Sequence, residues 1–144
     1  MDNTATLSPI VGQQADFTGL RAIVVDDCDD DRLLLTVMLE MQGIQVTAVS
    51  SAAVALSMLT QMQPDLLLSD LAMPLQDGYS LIRQVRSLET HRSLPAIAVS
   101  ALSAAEEQPN CFAAGFQAYV TKPYETQKLA TAIRSVLRQN RQTA

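Results

Sequence analysis

Four apolar runs in the chain each end on a side chain that can do chemistry, and that repetition limits the folds open to it. AIVV runs into Asp26 and Asp27, LLLS into Asp70, AIAV into Ser100 and AYVT into Lys122. A short apolar run without alternation is the pattern of a strand buried on both faces, as in a parallel sheet covered by helices. The carboxyl ends of such strands line a ligand crevice. The pattern predicts three carboxylates, one hydroxyl and one ammonium along one edge of one sheet, a set suited to a divalent cation and a phosphoryl group.

Helical stretches separate the runs. A first strand over Arg21–Val25 leads into a helix over Asp29–Gln42, with Leu34, Val37, Met38 and Met41 at i, i+3, i+4 and i+7. Its acidic first turn suits the positive end of the helix dipole, and Gly43 closes it. A second strand at Ile44–Val49 precedes a helix at Ser51–Gln63 with Ala52, Ala55, Leu56 and Leu59 on one stripe. The third strand, Asp65–Asp70, is followed by the loop AMPLQDG with its Asp-Gly turn, then by a helix at Tyr79–Glu89 through Leu81, Val85 and Leu88. Strands at Pro95–Ser100 and Gln117–Thr121 and a last helix at Glu125–Gln139, through Leu129, Ile133, Val136 and Leu137, complete the chain. Between strands four and five, Pro109 is tolerated only in a first helical turn, so a long loop from Ala101 and a short helix at Pro109–Ala114 are expected. Five βα units joined by short right-handed crossovers make a doubly wound α/β domain with a five-stranded parallel sheet.

Composition agrees with one folded domain. At 144 residues, with 48% apolar and 17% charged residues, the chain can bury a core. Residues 1–19 read as a flexible N-terminal arm, 20–140 as the domain and 141–144 as a tail. No apolar stretch reaches membrane-spanning length and MDNTATLSPIVGQQADF is not a signal peptide, which predicts a cytoplasmic protein without membrane insertion. Cys28 and Cys111 lie outside any ligand-spaced cluster and read as reduced apolar side chains. The net charge of −5 is unevenly spread: residues 1–77 carry 11 acids and 2 Lys/Arg. Asp26, Asp27, Asp29, Asp30 and Asp31 dominate that half, which argues against direct nucleic-acid binding there and suits a cation.

A hard cation such as Mg²⁺ takes oxygen ligands, often one or two carboxylates plus water. An adjacent Asp pair can be explained as a turn and a helix cap, but Asp70 after four buried positions cannot, because an unpaired carboxylate there is costly. Clustered carboxylates resist ionisation unless a cation neutralises them. An aspartate so placed can attack a phosphorylated donor and become an acyl phosphate, with metal and Lys122 offsetting the charge and Ser100 donating to a phosphoryl oxygen. The proline after Lys122 keeps the lysine backbone extended and aims it at the strand ends.

The ordered set resembles the receiver domain of two-component response regulators. VVDDCDDDRLLL, PDLLLSDLAMPLQDGYSLIRQVR, PAIAVSALS and GFQAYVTKPYE carry the likeness, over roughly residues 20–140. The resemblance implies a flavodoxin-like sheet of order 2-1-3-4-5. It implies that Asp70 is the phospho-acceptor in a phosphorelay, and that Asp26, Asp27, Asp70 and the backbone carbonyl of Ala72 hold Mg²⁺, with Mn²⁺ as a substitute. Ser100 and Lys122 then contact the phosphoryl group. Ser100 and Tyr119 act as the switch, altering the face built from the fourth helix, fifth strand and fifth helix. The implied partners are a cognate histidine kinase or histidine phosphotransfer protein, a downstream protein not identified by the sequence, and a second copy in a homodimer.

Pro109 is expected to reshape that output face, and inert Ala72 to give the acyl phosphate no special instability. His91, in the polar stretch ETHRS, reads as a solvated loop residue, so the phosphoryl group must come from another molecule. Two other readings compete. A haloacid-dehalogenase-type phosphatase also uses a strand-end aspartate, Ser/Thr and Lys, but needs an acidic metal motif after the lysine, and no aspartate follows Asp77. A receiver-fold interaction module that never takes phosphate is the other. Turnover of an external substrate is not expected. Met1 and the ending QNRQTA suggest a stand-alone protein, while DGYSLIRQVR also resembles receivers attached to hybrid histidine kinases.

Overall fold

The computed structural model describes residues 17–73 and 76–143, with side chains to residue 139. Five strands, β1 (Arg21–Val25), β2 (Gln45–Val49), β3 (Leu66–Asp70), β4 (Ala96–Ser100) and β5 (Ala118–Thr121), alternate with five helices. The helices are α1 (Asp29–Glu40), α2 (Ala52–Leu59), α3 (Gly78–Ser87), α4 (Ala104–Ala114) and α5 (Thr126–Thr143), and a 3₁₀ turn, Glu89–His91, links α3 to β4. All strand pairs are parallel and the order is β2-β1-β3-β4-β5, the flavodoxin-like topology. Every residue of β3 and β4 is buried, as their unbroken apolar runs require.

Successive strand residues face opposite sides, so the sheet feeds two separate cores. Ile23, Val25, Leu67, Ala96 and Ala98 pack with Ala52, Ala55 and Leu59 of α2, Leu81, Ile82 and Val85 of α3 and Cys111 of α4. On the other side, Ala22, Val24, Leu66, Leu68, Ile97, Val99 and Val120 pack with Leu35 and Leu39 of α1 and Leu129, Ile133 and Val136 of α5.

Several expectations are corrected. In α1 the buried stripe is Leu35 and Leu39, while Leu34 is 47% exposed, Val37 42% and Met41 71%. Residues 33–39 of the helix, LLLTVML, are apolar except for Thr36, so more than one apolar face is available, and the sheet selected the neighbouring phase. Leu88 lies beyond α3 and is partly exposed rather than in the core. Instead of a long loop, α4 starts at Ala104 and runs through Pro109. Proline removes one bond, from position 109 to the carbonyl of Ala105. The buried Cys111 and the Gly115 cap, at φ 129° with its amide on the carbonyls of Cys111 and Phe112, hold the helix despite that loss.

His91 is also buried, not solvated. Its Nδ1 lies 2.8 Å from Thr90 Oγ1 and its Nε2 3.4 Å from the carbonyl of Met62. The expected arm falls mostly on residues 1–16, outside the described residues together with Pro74 and Leu75. Phe17, however, is buried against Arg134 and the α1–α5 core, so the domain already includes it. At the other end α5 continues to Thr143, through most of the expected tail.

Arg86, near the end of α3, joins three segments. Its Nε and Nη2 donate to the carbonyl of Gly115 at 3.0 and 2.8 Å, and Nη1 to the carbonyls of Leu94 at 2.7 Å and Arg92 at 3.0 Å.

Candidate functional site

Parallel register brings the strand ends level. Val25 lies opposite Ser69, Asp70 opposite Val99 and Ser100 opposite Thr121. The residues that leave β1, β3, β4 and β5 therefore meet along one edge. Asp26 and Asp70 are buried and Asp27 is exposed, and one carboxylate oxygen from each lies within 4.8 Å of the others. The Asp26 carboxylate accepts the amide of Cys28 at 2.9 Å, and the Arg32 guanidinium binds the Asp26 carbonyl at 2.8 Å, so the turn into α1 is tied down from both sides.

Lys122 reaches this cluster from the end of β5, ahead of a cis bond to Pro123. Its Nζ lies 3.1 Å from Asp26 Oδ2, 2.8 Å from Asp31 Oδ2 and 3.7 Å from Asp70 Oδ1. Burial works against the ammonium, yet the bonds to Asp31 and Asp26 more than offset it and hold its pKa above the ordinary lysine range. Asp70 moves the other way. Burial and the charge of Asp26 push its carboxyl up to about 6, against the pull of Lys122 and the amides of Leu71 and Ala72. A carboxylate made hard to ionise by its neighbours is one whose charge a bound cation would relieve.

Ser100, almost fully buried at the end of β4, accepts the Leu102 amide on its Oγ at 3.1 Å. Tyr119, half-buried on β5, donates its hydroxyl to the Leu102 carbonyl at 2.5 Å. Beyond Asp70, the Asp77 side chain caps α3 by accepting the Ser80 amide at 2.9 Å. Gly78, the first residue of α3, sits so close to Asp70 that a Cβ there would lie 2.3 Å from the Asp70 carbonyl oxygen. Tyr79 next to it bonds Glu107 of α4 and lies 3.8 Å from Cys111 Sγ.

Sequence reasoning overlooked three participants. Asp31 was one acid among five, and nothing local pairs it with a lysine 91 positions away. The Tyr124 hydroxyl is buried without a partner among the described residues, and burial raises its pKa. Arg32 was not singled out at all.

The pattern of the response regulator receiver domain family matches residues 22–134. The chain belongs to that family. Among relatives of this receiver, an uncharacterised 14.6 kDa protein of Leptolyngbya boryana is 45% identical over 107 residues, 74% of this chain and 82% of the relative. The dual master transcriptional regulator RpaA of Synechocystis is 28% identical over 118 residues, 82% of this chain and 49% of the regulator. The receiver thus spans about half the length of that DNA-binding relative. The receiver domain of a Pseudomonas aeruginosa sensor histidine kinase, solved with a magnesium ion coordinated in its active site cleft, superposes with a TM-score of 0.74 at 29% identity, covering 83% of this chain and 98% of that one. Among the described residues, no helix is long and apolar enough to cross a membrane.

Proposed function

We propose that the receiver is a phospho-accepting switch in which Asp70 takes the phosphoryl group. The carrying observation is the set of three carboxylate oxygens within 4.8 Å, with the Lys122 ammonium beside them. All-oxygen donors of this kind fit a hard divalent cation. Asp26, Asp27, Asp70 and the Ala72 carbonyl would hold Mg²⁺, or Mn²⁺ in its place. The ion would supply positive charge against the donor oxygens of the transferring group.

The chemistry assigned to the side chains is simple. An ionised oxygen of Asp70 forms a bond to phosphorus while the donor P–N bond breaks, the electron pair leaving with the imidazole of a phosphohistidine. The donor is a histidine kinase or histidine phosphotransfer protein. Lys122 neutralises one charge on the acyl phosphate. Ser100 turns its hydroxyl to a phosphoryl oxygen and so releases the Leu102 amide, and Tyr119 follows inward from the Leu102 carbonyl. The changed surface, built from α4, β5 and α5, is where a downstream protein or a second copy of the chain would dock.

Incubation with acetyl phosphate and Mg²⁺ followed by intact mass measurement tests this reading. A single phosphoryl adduct is expected, absent in Asp70→Asn and absent without the metal. An unmodified wild-type protein would favour a phosphate-independent interaction module. Sustained hydrolysis of added phosphoesters would point to a phosphatase.

A further inference from the structure

Lys122 carries three N–H donors. In the resting site two are committed, to Asp26 at 3.1 Å and to Asp31 at 2.8 Å. Asp70, at 3.7 Å, is beyond hydrogen-bonding distance. The shortest bond therefore goes to a carboxylate that neither accepts phosphate nor belongs to the three-carboxylate cluster. Asp31 sits in the first turn of α1, its side chain 39% exposed, on the solvent side of a lysine whose own side chain is 15% exposed. The other acids of that turn are placed differently. Asp29 is 87% exposed and pairs with Arg32 at 2.5 Å, within the helix itself.

We propose that Asp31 is a positioning residue that draws the Lys122 ammonium away from Asp70 and so restrains phosphoryl capture. The proposal deepens the phospho-acceptor reading and rests on it. When Asp70 Oδ bonds to phosphorus and the donor bond breaks, the new phosphoryl oxygens need the Lys122 charge at hydrogen-bonding distance. Asp26 can turn its charge toward a cation, but Asp31 has no other partner of that kind among the described residues and keeps competing for the lysine. Its own negative charge also opposes the arriving dianion. Charge competition over a few ångströms in a partly buried site changes equilibria severalfold, whereas a fully exposed pair would change them little.

Beryllofluoride, a tetrahedral mimic of the phosphoryl group, gives a readout that needs no phosphoryl transfer. Asp31→Asn keeps the size of aspartate while removing its charge. Titration at fixed Mg²⁺ should show Asp31→Asn binding beryllofluoride about fivefold tighter than wild type, the size expected for one partly screened charge. Asp31→Glu, which retains the charge, should stay near wild type, and the ¹⁵N-ammonium resonance of Lys122 should shift in Asp31→Asn before any ligand is added. Equal or weaker binding by a folded Asp31→Asn would overturn the proposal, as would an unmoved Lys122 resonance. A wild-type protein that binds no beryllofluoride with Mg²⁺ would overturn the phospho-acceptor reading and this proposal together, so the two failures are distinguishable.

Discussion

Ser100 and Tyr119 hold opposite sides of the same residue: Ser100 Oγ accepts the Leu102 amide at 3.1 Å and the Tyr119 hydroxyl donates to the Leu102 carbonyl at 2.5 Å. The β4–α4 loop is fastened at this point by two side-chain hydroxyls from neighbouring strands. Ser100→Ala should speed amide hydrogen exchange at Leu102 by up to about tenfold, the worth of one hydrogen bond. Tyr119→Phe should loosen the same loop while leaving Asp70 able to take phosphate from acetyl phosphate. Unaltered exchange at Leu102 in both variants, followed by NMR, would show that the two bonds do not fasten the loop.

Asp70 has a sign-specific effect on stability. Its carboxyl ionises at about 6 in the folded protein, above the ordinary 3.8. Between those values the unfolded chain loses its proton first, so stability falls as pH rises through this window and stays lower above it. In metal-free buffer at pH 7.5, Asp70→Asn should be more stable than wild type by on the order of 2 kcal/mol, and the gap should close near pH 3.5. Mg²⁺ should also narrow it at pH 7.5 by stabilising the wild type. Chemical denaturation across pH, with and without Mg²⁺, checks this; a gap that widened toward acid would contradict it.

Among the described residues Arg86 binds uncharged oxygens, chiefly the carbonyls of Gly115, Leu94 and Arg92. Lysine cannot reproduce that planar fork. Arg86→Ala should cost about 3 kcal/mol, because several carbonyls, most of them partly buried, lose their donor at once, and Arg86→Lys should recover less than half of the loss. Urea denaturation of the two variants is the measurement. A cost within the range of an ordinary surface substitution would refute the role.

The phase of α1 makes a paired test. Leu35→Ala should cost about 3 kcal/mol through the cavity it leaves, whereas Leu34→Ala should cost less than about 1 kcal/mol. The reverse order in urea melts would restore the stripe read from spacing alone.

The parts of the structure that could be read in advance were those fixed by local pattern. The runs at Leu66–Asp70 and Ala96–Ser100 are buried throughout, so their apolar character carries one meaning. Helix α1 contains LLLTVML, which offers several competing apolar faces, and only contact with the sheet chooses among them. Pro109 speaks against a helix locally, but Cys111, Gly115 and the Arg86 bridge act at a distance from it. His91 and Arg86 find backbone carbonyls, which no residue code reveals. In the crevice, the strand-end residues were visible as types at run ends, while the bond from Lys122 to Asp31 depends on the lysine side chain reaching from the end of β5 to the first turn of α1, a relation set by the fold.

The closeness of Gly78 to the Asp70 carbonyl gives the crevice one stationary wall. With the start of α3 against its backbone, the end of β3 is held closely on that side. The Gly78 amide on the Leu71 carbonyl, at 2.9 Å, clamps the next residue too. Opposite it, the β4–α4 loop rests on two rotatable hydroxyls. A load applied at Asp70 therefore finds stiff resistance on one side and compliance on the other, so the direction of the response is built into the mechanics of the crevice before any partner arrives.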